Sequence, residues 1–140
     1  MKRYILHYAP ETTSTGIIYR PKISISLKSK TNDWYSFKAY VDSGADMSLF
    51  TKTDTELLGL SLYQGEYRPI VGIGKLLIPA YIHNVKMKIE ETSLNVKAAF
   101  ADSDEVPRLL GRTDVFKHFK ISFDEQKLEI VFETKDSESP

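Results

Sequence analysis

Chemistry in this chain of 140 residues is concentrated in one short run, Asp42-Ser43-Gly44-Ala45-Asp46, where a carboxylate is followed at once by a hydroxyl and a glycine. Trp34 to Val41, just upstream, reads as a strand rich in aromatic and β-branched residues, which carries Asp42 toward a packed interior and presents it at a turn. The chemistry that rewards such a placement is a carboxylate pair with a shared proton, in which one acid polarises a carbonyl and its ionised partner activates water. Two carboxylates about 4 Å apart repel by about 4 kcal/mol at an effective dielectric near 20, worth about three pKa units, so one proton stays on the pair. The chain has a single Asp-Ser-Gly segment, because Asp102-Ser103-Asp104 and Asp136-Ser137-Glu138 lack the glycine. The second aspartate is therefore expected from a second copy, and the expected active unit is a homodimer. Taken alone, Asp-Ser-Gly is also a common turn composition in which the aspartate only accepts backbone hydrogen bonds.

The elements that must position this turn follow from hydrophobic period. Ile23, Ile25 and Leu27 alternate with Ser24, Ser26 and Lys28, and Thr31-Asn32-Asp33 joins that strand to Trp34–Val41 as a hairpin. Downstream, Thr53-Asp54-Thr55-Glu56 has capping-box spacing for a helix of about two turns closed by Gly59. Tyr67 to Tyr81 reads as two strands around Gly72 and Gly74, followed by a strand in which Val85, Met87 and Ile89 alternate with lysines, and by another from Ser93 to Ala101. Thr113 and Asp114 are placed to cap a second short helix reaching Phe119, before a hairpin of Ile121–Phe123 and Leu128–Phe132. Tyr4–Tyr8 is a further strand, 10–16 a loop of turn formers, and 134–140 a frayed tail. Many short strands with two brief helices predict an all-β fold, a mostly antiparallel barrel or sandwich.

Composition bounds the function. The length suits one domain with a single core. Lysine plus arginine and aspartate plus glutamate both total 19, leaving no net field to gather nucleic acid or an anionic membrane surface. With no cysteine there is no thiol nucleophile or thiolate metal site, and His7, His83 and His118 lack paired ligand spacing, so neither metal nor cofactor is assigned. The apolar run in Met1–Tyr8 is too short for a signal-peptide core, and no segment approaches membrane-spanning length. These features predict a soluble cytoplasmic protein, though a domain excised from a larger precursor has the same signature.

Three motifs in order, Asp42-Ser43-Gly44-Ala45, Ile70-Val71-Gly72-Ile73-Gly74 and Leu109-Leu110-Gly111-Arg112, resemble the retropepsin family of dimeric aspartic proteases, over roughly Arg20 to Phe132. The resemblance implies a closed antiparallel β barrel forming half an enzyme, with domain limits of 20–133, an N-terminal strand and loop extension over 1–19, and the tail beyond. It implies a pepstatin-sensitive endopeptidase acting on extended polypeptides, with Asp42 catalytic and Ser43 and Gly44 supporting the turn. Substrate would be bound by Ala45, Asp46, Ile70, Val71, Gly72, Ile73, Gly74, Val106, Pro107 and Leu109, with Tyr40 and Leu49 beside them in an apolar groove. Gly72-Ile73-Gly74 would be the tip of a closing flap. Asp46 and Arg112 look like the family's ion pair beneath the groove; buried together, losing either would cost about 3–5 kcal/mol. In viral relatives the termini interleave in a dimer sheet, a role open to Tyr4–Tyr8. The alternative is a catalytically silent scaffold of the same fold that binds peptides.

Overall fold

The computed structural model describes residues 1–135. Its strands are β1 (Arg3–His7), β2 (Ala9–Thr13), β3 (Gly16–Arg20), β4 (Lys22–Lys28), β5 (Trp34–Val41) and β6 (Leu49–Phe50), followed by helix α1 (Lys52–Leu58). Then come β7 (Glu66–Tyr67), β8 (Ile70–Val71), β9 (Leu77–Ile78), β10 (Ala80–Ile89), β11 (Thr92–Ala101), β12 (Leu109–Leu110), β13 (Phe119–Asp124) and β14 (Glu129–Thr134). Six strands close a barrel in the order β11-β6-β12-β5-β4-β10, with β10 pairing back onto β11 and β7 attached to β10. Most pairings are antiparallel, but β6 on β11 and β12 on β5 are parallel. A separate sheet, β1-β14-β13, joins the two ends of the chain.

Alternation explains which side of each strand is buried. Ile23, Ile25 and Leu27 of β4 enter the core while Ser24 is exposed, as period two requires. In β10 the phase slips: Ala80 and Ile82 are buried, then Val85, Met87 and Ile89, with intervening Asn84 exposed. The first pair joins a small apolar cluster with Leu49, Ala99 and Ala101, and the second set joins the main core around Phe50, Phe100 and Leu110. The last residues of β11, Ala98 to Ala101, are all buried because the main core lies on one face and the small cluster on the other. Burying a Leu, Ile or Phe contributes about 1.5–3 kcal/mol, so the main core dominates stability.

The first expected helix forms, capped two residues earlier than predicted. Thr51, extended at φ −91°, caps α1, and the box is closed by Asp54 rather than by Thr53 and Glu56; Gly59 ends the helix at φ 72°. The second contracts to a 3-10 turn, Phe116–His118, because Phe119 already opens β13 opposite Thr134 and leaves room for no more. Residues 10–16, expected as a loop, are instead most of the hairpin β2–β3, which pairs with no other strand. Polar residues on β2 hid it, since Pro-Glu-Thr-Thr carries no apolar alternation. Thr134 ends β14, and residues 136–140 of the expected tail lie outside the described residues.

Candidate active site

Strand β5 ends in a braced position. The amide of Tyr40 donates to the carbonyl of Arg108 at 2.9 Å and that of Asp42 to Leu110 at 3.1 Å, while Val41 donates to Pro21 at 2.8 Å. Asp42 thus leaves the barrel between two neighbouring segments, with Val41 buried behind it. The chain then turns: Ala45 donates to the carbonyl of Asp42 at 3.2 Å, and the amide of Gly44 donates to the carboxylate of Asp42 at 2.8 Å. A β-carbon on Gly44 would stand 3.2 Å from that same carboxylate oxygen, so the glycine leaves the acid room. Asp42 is half-buried and Ser43 exposed, so the turn faces outward.

The Leu-Leu-Gly-Arg segment is the bed of this turn. Arg112 donates its amide to Ala45 at 2.9 Å, Thr113 donates amide and hydroxyl to Asp46, both at 2.8 Å, and Gly111 donates its amide to the Ser48 hydroxyl at 3.0 Å. Backbone approaches backbone so closely that a β-carbon on Gly111 would fall 2.4 Å from the carbonyl carbon of Met47, which no side chain permits. Asp46 and Arg112 do meet, at 3.3 Å, but their side chains are 83% and 59% exposed, so this pair is solvated and weak. The buried-pair cost set out above belongs elsewhere, to Asp54 and Arg108, where Arg108 donates from Nε and Nη2 to the two carboxylate oxygens at 2.8 and 3.0 Å. That pair ties the Val106-Pro107-Arg108 segment to α1.

Beneath the bed lies Asp114, read from sequence only as a helix cap. One carboxylate oxygen accepts from the Ser48 amide at 3.2 Å; the other is buried and meets no donor. Burial pushes this carboxyl above the usual aspartate range, against the opposing pull of its hydrogen bonds with Ser48. Its signal in the sequence was an acid set between Leu109-Leu110-Gly111 and Val115-Phe116. A cleft of about 580 Å³ opens beside it, walled by Asp46, Met47, Arg68, Lys97, Asp114 and His118.

Of the expected groove residues, Ile70, Val106 and Leu109 are brought together, half-buried over the small cluster that contains Leu49. Pro107 is exposed beside them. Val71 lies 64% exposed on the hairpin β8–β9, whose tip runs from Gly72 to Leu76 with Gly74 at φ 77° and a 2.7 Å bond from Gly72 to Leu76. Tyr40 turns away: its hydroxyl donates to Glu11, and the Lys22 ammonium sits 5.2 Å from its ring centre. Among the described residues no cluster of three or more acidic or histidine side chains could hold a metal ion. No helix among them is long and apolar enough to cross a membrane.

A closed six-stranded barrel that presents one Asp-Ser-Gly turn over the Gly-Arg segment following β12 is a retropepsin-like fold. The chain belongs to the aspartyl protease family, whose family model, described as Aspartyl protease, matches residues 27–113. Solved structures share the fold, three of them as follows. A retropepsin-like aspartic protease from Rickettsia conorii aligns at TM-score 0.61 and 21% identity, over 94% of this chain and 89% of its own. EIAV protease complexed with the inhibitor HBY-793 aligns at 0.51 and 21%, over 66% and 82%. The retroviral protease-like domain of Ddi1 from Leishmania major aligns at 0.54 and 16%, over 84% and 97%. Comparison with curated protein sequences finds no match.

Proposed function

We propose that this protein is a homodimeric aspartic endopeptidase in which Asp42 from each of two subunits forms the catalytic pair. The observation that carries the reading is the outward-facing Asp42 turn, braced by Leu110 to Thr113, in a chain of the aspartyl protease family. One carboxylate, ionised, takes a proton from water as that water attacks the scissile carbonyl. The other, protonated, gives its proton to the carbonyl oxygen, and the gem-diol collapses as the leaving nitrogen is protonated and the C–N bond breaks. No covalent enzyme intermediate forms. Aspartic proteases are themselves the standing example of two carboxylates holding one proton.

Ser43 braces its turn across the two-fold axis, and Gly44 admits the substrate backbone. The hairpin tip Gly72-Ile73-Gly74 acts as the flap, with the Ile73 amide donating to a water held against the peptide, which also excludes bulk solvent. Ala45, Asp46, Ile70, Val71, Val106, Pro107 and Leu109 line an extended-peptide groove, and the apolar patch of Ile70, Val106 and Leu109 favours bulky apolar side chains near the cut.

The test is cleavage of denatured casein across an acid-to-neutral pH series by wild type and Asp42→Asn. Expected is a loss of at least about 10²-fold with folding unchanged, and competition by pepstatin in the wild type. Equal cleavage by both proteins rejects the assignment, and no cleavage by either favours the silent scaffold.

A further inference from the structure

The hairpin β2–β3, like β8–β9, stands outside both the barrel and the terminal sheet. It pairs only with itself, and every residue of β3 is exposed, including Ile17 at 63%, Ile18 at 40% and Tyr19 at 49%. Because successive strand residues point to opposite faces, both sides of this ribbon offer large apolar groups to water. An isolated two-stranded ribbon is marginal at best in water, and contiguous exposed apolar groups mark contact surfaces.

The ribbon is fastened at its base. Glu11 of β2 accepts from Tyr40, pairs with Arg20 at 3.0 Å and binds the Lys22 ammonium at 2.9 Å. Arg20 is followed by Pro21, whose carbonyl accepts from Val41, the residue before Asp42. Ribbon and catalytic turn therefore leave the same end of the barrel. A two-fold axis that brings two Asp42 side chains together passes close to both ribbon bases.

Two further observations decide what covers the ribbon. A stable interface needs on the order of 800 Å² from each partner, more than the four-residue turn Asp42–Ala45 can supply. In the terminal sheet β14 is already flanked by β1 on one edge and β13 on the other, so only the outer edges of β1 and β13 are open to a second copy. We propose that the β2–β3 ribbon is the main dimerisation arm, its Ile17, Ile18 and Tyr19 packing against a second copy of this chain beside the paired aspartates. The inference rests on the homodimeric reading and adds the ribbon to what the outer edges of β1 and β13 contribute to the interface.

The experiment is sedimentation equilibrium together with casein cleavage over a dilution series, for wild type and for Ile17→Asp with Ile18→Asp. Both residues are exposed in the subunit, so the charges leave its fold intact, which circular dichroism checks. Expected is a rise in the dimer dissociation constant of about tenfold or more, with activity lost at low protein concentration and regained at high. An unchanged dissociation constant with wild-type activity overturns the arm while leaving the catalytic pair standing. A monomeric wild type that cleaves, or cleavage retained by Asp42→Asn, overturns the pair itself. As an independent check, the chain has no cysteine, so Ile17→Cys takes a single nitroxide label. A short, well-defined distance between labels of two subunits supports the arm, and the absence of dipolar coupling in a sample that sediments as a dimer overturns it.

Discussion

Arg108 holds the carboxylate of Asp54 with two hydrogen bonds, at 2.8 and 3.0 Å, and the acid is only 2% exposed. The same carboxylate accepts the amide of Thr51 at 3.0 Å, so one buried acid both caps α1 and anchors the segment leading into β12. The Arg108 guanidinium also lies 5.3 Å from the centre of the Phe37 ring, which places it over the main core. Arg108→Ala is expected to destabilise the fold by about 3 kcal/mol, the lower end for breaking a buried pair, since the arginine itself is partly solvated. Arg112→Ala, which breaks only the exposed contact with Asp46, should cost less than about 1 kcal/mol. Urea unfolding of the two variants checks this, and equal losses would refute it.

Gly111→Ala tests the bed under the Asp42 turn. The added methyl meets Met47 backbone at 2.4 Å, and backbone cannot give as a side-chain end can. Expected is a loss of about 1–3 kcal/mol from overpacking, with cleavage falling further than stability because residues 45–48 must lift away from 111–113. Thermal melts paired with cleavage rates at a temperature where the variant is folded separate the two effects. A variant that folds and cuts like wild type sinks the argument.

What could be read in advance and what could not divide along sequence separation. Asp42, Gly44 and Gly111 stand out because turn chemistry and close backbone approach constrain residue type locally. Strand β4 and the Val85–Ile89 part of β10 are legible from alternation, and β5 from its aromatic and β-branched residues. Asp54 and Arg108 are 54 residues apart and Ser48 and Asp114 are 66 apart, so no local pattern announces either contact. Thr51 lost to Thr53 as a predicted cap because Asp54 closes the box as well as a glutamate would, and hydroxyls stand at both positions. The ribbon β2–β3 escaped because its strands bury no face within the subunit, and burial is what writes alternation into a sequence.

Asp114 gives a pH dependence with a definite sign. Its folded carboxyl is pushed upward by burial, so the folded state keeps the proton to higher pH than the unfolded chain, whose aspartates titrate near about 3.9. Stability from this group is therefore greatest below that value and falls as pH rises through the elevated folded value. Asp46, Lys117 and His118 around the neighbouring cleft are exposed and screened, so burial remains the main cause. Asp114→Asn keeps the acceptor for Ser48 and cannot ionise. Expected is a gain of about 1–3 kcal/mol at pH 7 relative to wild type, shrinking toward zero near pH 4. Denaturant melts across that range decide it, and a constant difference at all pH values would rule out titration of this carboxyl as the cause.

Glu11 carries the opposite sign. Its carboxylate is held below the ordinary 4.5 first by the Tyr40 hydroxyl and then by Lys22, and the Tyr40 phenol is correspondingly pushed up. What Glu11 contributes to fastening the ribbon is thus present above the ordinary value and lost as pH falls through the lowered one. In Glu11→Gln the hydrogen bond from Tyr40 survives but the charge facing Arg20 and Lys22 is gone. Amides of 9–13 and 16–20 should then exchange with solvent faster than in wild type at pH 7, while those of β10 and β11 are unchanged. The difference should vanish in strong acid, once the wild-type carboxylate is also neutral. Hydrogen exchange read by mass spectrometry at the two pH values tests this, and identical protection of the ribbon at pH 7 would show that its base is held by backbone and tyrosine alone.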